Sequence, residues 1–201
     1  KALEKQCSQC HGAKEVAPRA ERARNARAMY ESLNAVRDQL KLANAMPPQL
    51  RLGTSSWTFQ GWKGLVWDAD YSESILSRHG LPAYAQHPML RTVSLDRAFY
   101  RPLSASQYAA YAAQVPSGFR FVVKAPSLVA DAMVRGESGR GMQPNPSFLD
   151  PALASSEFIQ PALDGLGDRI GALVFQLSPL PAHWVARKAE FFDRLDRKSV
   201  V

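Results

Sequence analysis

Five residues near the start, Cys7-Ser8-Gln9-Cys10-His11, have the spacing of a c-type haem attachment site. Two thiols three apart can add to the vinyl groups of a haem, and the adjacent His11 imidazole can reach the iron as an axial ligand. The alternatives to this leading reading are no site at all, or less readily part of a zinc site completed from elsewhere. A second constellation is spread along the chain. Asp96, Arg97, Tyr100 and Arg101 close one apolar run, Lys124 ends another, Gln176 sits in a third, and Trp57 follows a fourth. If the fold gathers them, Lys124 and Arg97 would bind an anionic group such as a phosphate. Asp96 would act as a general base or metal ligand, with Lys124 as its catalytic partner. Trp57 and Tyr100 would stack on a ring or sugar, and Arg101 and Gln176 would complete the rim. Each has a structural alternative: an Asp96–Lys124 ion pair, core packing for Trp57, and backbone satisfaction for Gln176.

Beyond that alternative for Asp96, no metal site is expected in this second set. His79, His87 and His183 fall on or beside expected helices, and no pair of them has ligand spacing. Neither a Gly-rich phosphate loop nor a Gly-x-Ser-x-Gly elbow is present.

The elements that must position these residues are legible as four apolar runs, Leu50–Gly53, Thr92–Leu95, Phe119–Lys124 and Ala172–Leu177. Helical segments at Ser72–His87, Ser104–Gln114 and Ser155–Leu166 separate them, and His183–Leu195 follows the last. Strands alternating with helices predict βα units and a parallel sheet. The nearly continuous apolar fourth run predicts a strand covered on both faces. Ser104 is placed to cap its helix. Between Ser127 and Pro151, Gly136, Gly139, Gly141, Pro144 and Pro146 predict a long surface loop. Ahead of all this, Ala23, Ala26, Met29, Tyr30, Leu33, Val36 and Leu40 recur at helical spacing. They predict an amphipathic helix of about 25 residues that starts at Pro18 and stops before Pro47-Pro48.

In parallel-strand folds of this kind, chemistry gathers at the carboxyl ends of the strands. Leu-Gly-Thr-Ser-Ser-Trp at 52–57 with Gly61-Trp62, then Phe99-Tyr100-Arg101, Gly118-Phe119-Arg120-Phe121 through Lys124-Ala125-Pro126, and Phe175-Gln176-Leu177 occur in order. On these motifs, residues 49–195 resemble domain of unknown function family 72, the YecE-like proteins. The resemblance implies an α/β fold of the TIM-type (β/α) barrel and implies no activity. The family usually carries a Glu and an Asn on its second strand. Ser94 and Asp96 stand there, with Arg97 and Ala98 in place of small polar residues. Any role of the family's pair would fall to Asp96 and Arg97. Residues 1–46 more weakly resemble a segment of multihaem cytochromes c of the hydroxylamine oxidoreductase type.

A complete barrel needs eight strands and about 250 residues. Four strands in residues 47–195 therefore predict a C-terminally truncated barrel with unpaired edges, prone to marginal stability or association. Asp196–Val201 reads as the translation of a short-read sequencing adapter, which predicts a non-native tail. The pairing of a haem-type motif with a barrel segment raises a further hypothesis, a chimera joined near Ala45–Pro48.

The chain has 201 residues, 46% apolar and 21% charged, an ordinary balance that excludes wholesale disorder. No apolar stretch is long enough for a membrane span. Net charge is +7, of which residues 1–46 supply +4. No block of like charges appears, so nucleic acid is a permitted but weak alternative partner for the basic N-terminal helix. The expected function is binding or turnover of a small anionic ligand. A haem-binding electron-transfer fragment is the second alternative. The cytoplasm is the expected location, the periplasm if haem is attached.

Overall fold

The computed structural model describes residues 13–135 and 142–196. Its backbone divides into two units, Lys1–Leu50 and Arg51–Val201.

In the first unit, helix α1 spans Ala13–Ala45. It passes through Pro18 rather than starting there. Pro18 is the sixth described residue of the helix, so it forfeits a single backbone bond, to the carbonyl four residues earlier. The helix ends before Pro47-Pro48, as expected. Its apolar stripe is not buried: Met29, Tyr30, Leu33, Val36 and Leu40 are 46–66% exposed.

In the second unit four strands form one parallel sheet in chain order: β1 (Leu52–Thr54), β2 (Leu90–Leu95), β3 (Arg120–Lys124) and β6 (Ile170–Val174). The molecule is thus a mixed α/β protein, and the described strands close no barrel; β1 and β6 are free edges. The pleat sorts side chains by face. Val93 and Leu95 on β2 and Phe121 and Val123 on β3 are fully buried against helices. Thr92, Ser94, Arg120, Val122 and Lys124 point to the other face and stay half-exposed.

The covering helices are α2 (Glu73–His79), α3 (Leu81–Gln86), α5 (Ala105–Ala112) and α8 (Gln160–Leu166). A short turn α4 (Arg97–Tyr100) follows β2. The segment expected as one helix over Ser72–His87 breaks at Gly80. A Cβ there would lie 2.7 Å from the Leu76 carbonyl oxygen and 3.1 Å from the Trp67 ring. Pro82 then has no N–H with which to continue the first helix. Ser104 does cap α5, in a reciprocal box: its hydroxyl accepts the Gln107 N–H at 3.3 Å, and Gln107 Oε1 accepts the Ser104 N–H at 2.9 Å. The helical segment before α8 starts earlier than expected, at α7 (Pro151–Ala154), and reaches α8 through a π-turn at Ser155–Ile159. Asp150 caps it by accepting the Leu153 N–H at 2.9 Å, with Pro151 in the tolerant first position.

Two further expectations need correction. The segment Ser127–Pro151 is not a plain loop. It folds as α6 (Ser127–Ala130) and a hairpin of β4 (Met133–Arg135) and β5 (Met142–Pro144). Its apolar residues explain this: Ala132, Phe148 and Leu149 bury with Trp184 and Phe191 of α9 (Ala182–Ala186) and α10 (Lys188–Asp196) in a second small core. Buried Asn145 fastens it, donating from Nδ2 to the carbonyls of Leu128 and Asp131 at 2.8 Å each and accepting the Ser147 N–H. Nor is β6 covered on both faces. Gly171 and Ala172 are exposed, and β6 is an edge strand paired only with β3.

Candidate functional site

Parallel register carries β2 and β3 to a common tip. Thr92 pairs with Arg120 and Ser94 with Val122, so two residues further on Asp96 and Lys124 meet on the half-exposed face. Lys124 Nζ donates to Asp96 Oδ2 at 3.0 Å, and Ser94 Oγ donates to Asp96 Oδ1 at 2.5 Å. Both carboxylate oxygens are therefore engaged. The side chains are one-quarter and just over one-third exposed, so the pair is reachable from solvent. Ser94 belongs here through the period-two alternation that also places Asp96.

A cavity of about 200 Å³ opens beside this cluster. Asp96, Arg97 and Trp57 all line it. Hydroxyls dominate the rest: Ser55, Ser56 and Thr58 from the segment after β1, Ser77 from α2, and Ser94. The loop hydroxyls are held in a local turn. Thr54 Oγ1 donates to the Ser56 carbonyl at 2.7 Å, and Ser56 Oγ accepts the Thr58 N–H at 3.0 Å. Arg97 is exposed, and no carboxylate among the described residues pairs with it.

The expected residues divide into three groups. Asp96, Arg97 and Trp57 line the cavity, and Lys124, outside the lining, joins them through its bond to Asp96. Trp57 is turned inward, however: it is 8% exposed, its Nε1 donates to the Leu76 carbonyl at 3.1 Å, and its ring meets Tyr111 edge-on at 5.8 Å. It walls the cavity as part of the core rather than presenting a free face. Tyr100, 81% exposed, meets the Phe99 ring edge-on, and Tyr100 and Arg101 lie outside the cavity lining. Gln176 lies two residues beyond the end of β6, exposed and also outside the lining. Cys7, Cys10 and His11 lie outside the described residues, as do Gly136, Gly139, Gly141 and residues 197–201. Among the described residues no cluster of three His, Cys, Asp or Glu side chains could hold a metal, and no helix is long and apolar enough to cross a membrane.

Behind the site, Tyr84 locks β1 to β2. Its hydroxyl accepts the Thr54 N–H at 3.1 Å, lies 2.8 Å from Thr54 Oγ1, and donates to the Thr92 carbonyl at 3.0 Å. Burial pushes its phenol pKa up, against the opposing effect of the Thr54 hydrogen bonds.

A larger cavity of about 630 Å³ adjoins the first and shares Ser55, Ser56 and Thr58 with it. Phe59, Trp62 and Glu73 stand on its wall. Sequence reasoning missed these three. The sign was present in two large aromatics flanking Gly61, in a stretch with neither helical nor strand periodicity.

A parallel α/β domain with polar groups gathered at adjacent strand tips is the class of protein that this fold and site define. The family described as "Protein of unknown function DUF72" matches residues 51–200, and the chain belongs to it. Two solved structures of a DUF72 family protein from Enterococcus faecalis V583 are similar to this chain. One is 21% identical with a TM-score of 0.48, over 72% of this chain and 46% of that one. The other is 22% identical with a TM-score of 0.35, over 59% and 44%. The chain thus spans less than half the length of either. No curated protein matches.

Proposed function

We propose that this domain binds a small anionic molecule, a phosphate ester or its like, at the carboxyl ends of β1, β2 and β3. The observation that carries the reading is that Arg97 and Asp96 line one hydroxyl-rich cavity, with the Lys124 ammonium held against Asp96 outside that lining. Arg97 is the group open to the ligand, as a planar fork suited to two phosphate oxygens. Lys124 donates to Asp96 and adds a positive charge beside the cavity. The serine and threonine hydroxyls supply neutral donors around it.

The four strands in chain order, all parallel and with helices on one face, support reading the sheet as part of a TIM-type (β/α) barrel. In that fold, sites lie at this same end of the strands. A reaction at the site would fall to Asp96 and Lys124, the two groups able to exchange a proton there.

The test is titration of inorganic phosphate into the full chain at low ionic strength, followed by calorimetry. Arg97→Ala is expected to weaken binding about tenfold or more, the equivalent of one charge-assisted hydrogen bond. Equal affinity in parent and variant would overturn the reading.

A further inference from the structure

Resting on that reading, we infer that the larger cavity seats a sugar ring, so that the ligand is a sugar phosphate with its anionic end at Arg97. Phe59 provides the platform. It is 59% exposed although it sits beside the core, and its ring meets Trp62 edge-on, with centroids 5.5 Å apart and planes at 68°. Gly61 makes this posture available: a Cβ there would lie 2.5 Å from the Phe59 ring. The exposed ring thus lies directly over the Gly61 backbone, where a side chain at 61 would displace it.

Two rings at that angle offer one open face, not the parallel slot that clamps a flat base between two aromatics. One negative π face suits the polarised C–H face of a pyranose or furanose. Glu73 stands on the same wall with no ion-pair partner among the described residues. As a carboxylate it only accepts, and it can take two sugar hydroxyls at once. Ser55, shared by both cavities, both donates and accepts, as a sugar hydroxyl does. The volume lies within the roughly 300–1,000 Å³ of small-molecule sites. An aromatic face, an acceptor and amphoteric hydroxyls leading to a guanidinium match a polyol that ends in an anion.

The test is calorimetric titration of the full chain with ribose 5-phosphate, glucose 6-phosphate, the two free sugars and inorganic phosphate, repeated with Phe59→Ala, Glu73→Gln and Arg97→Ala. Both Phe59 and Glu73 are exposed, so these variants are expected to fold, and circular dichroism confirms that each has. At least one sugar phosphate is expected to bind about tenfold or more tightly than inorganic phosphate, with that advantage lost in Phe59→Ala and Glu73→Gln. Equal affinity for sugar phosphates and inorganic phosphate, both lost in Arg97→Ala, overturns the sugar seat and leaves the anion site standing. Free-sugar binding that needs Phe59 but is indifferent to Arg97 does the reverse. Binding of none of the five overturns both.

Discussion

Lys124 and Asp96 are 28 residues apart in sequence and 3.0 Å apart in space, donor to acceptor, at the tips of neighbouring parallel strands. The pair exists because β2 and β3 pair in register with the same face open. A double-mutant cycle of Asp96→Ala and Lys124→Ala, read by urea unfolding, is expected to give a coupling of about 0.5–1 kcal/mol, in keeping with a partly exposed ion pair. The coupling should shrink in 1 M salt. A coupling indistinguishable from zero at low salt would show that the pair adds nothing to stability.

Tyr84→Phe removes a hydroxyl that serves both Thr54 and Thr92 while keeping the ring. The orphaned Thr54 N–H and Thr92 carbonyl lie at a fully buried side chain. The loss is expected to be about 1–3 kcal/mol in urea unfolding with an unchanged m-value. A cost below a few tenths of that would mean that solvent replaces the hydroxyl.

Gly165→Ala tests the close packing of α8 on α5. A Cβ on Gly165 would lie 2.3 Å from the Ala105 carbonyl oxygen and 2.5 Å from Tyr108 Cβ, forcing α8 away from α5. Overpacking of this kind costs typically about 1–3 kcal/mol. Thermal unfolding at a clearly lower midpoint is the expected outcome; an unchanged midpoint would show that the two helices separate freely.

Stability should fall at both ends of the pH range, for opposite reasons. Burial holds the His87 pKa below the usual 6.5, and its Nδ1 accepts the Met89 N–H at 3.3 Å. The fold thus favours neutral His87. That contribution is present above pH 6.5 and is lost as pH falls through the lower folded value. Burial, with the charge of Tyr111 adding to it, pushes the Tyr108 phenol up to about 12. Its contribution is intact below pH 10 and is lost as pH rises from 10 towards 12. Imidazole NMR titration and ultraviolet titration of the phenols check the two. A folded His87 pKa above 6.5, or ionisation of every tyrosine near pH 10, would contradict them.

Much of this arrangement was legible in the sequence, for reasons of period. Thr92 to Asp96 alternates small polar with apolar residues, which set the strand, its faces and the place of Asp96 together. Phe119–Lys124 does the same for Lys124. Ser104 announced its cap because capping is local. What stayed hidden depends on long-range packing. Ser77 and Tyr111 reach the cavity from helices, at positions that only tertiary contacts select. Trp57 takes the core-packing alternative; its partners, the Leu76 carbonyl and the Tyr111 ring, are what the sequence did not show. Phe148 and Leu149 ordered a segment whose glycines and prolines suggested a loop, because burial with Trp184 and Phe191 outweighed local preference. Gln176 missed the site because β6 ends at Val174, two residues short of it.

The most direct test of the central claim, that side chains from separate strand tips act on one anion, is a phosphate-titrated amide NMR spectrum of the full chain. The account predicts saturable shifts at Ser55, Ser56, Ser94, Asp96, Arg97 and Lys124 together, all with one dissociation constant and all abolished by Arg97→Ala. Shifts confined to one strand, or scattered with unrelated constants, would contradict it.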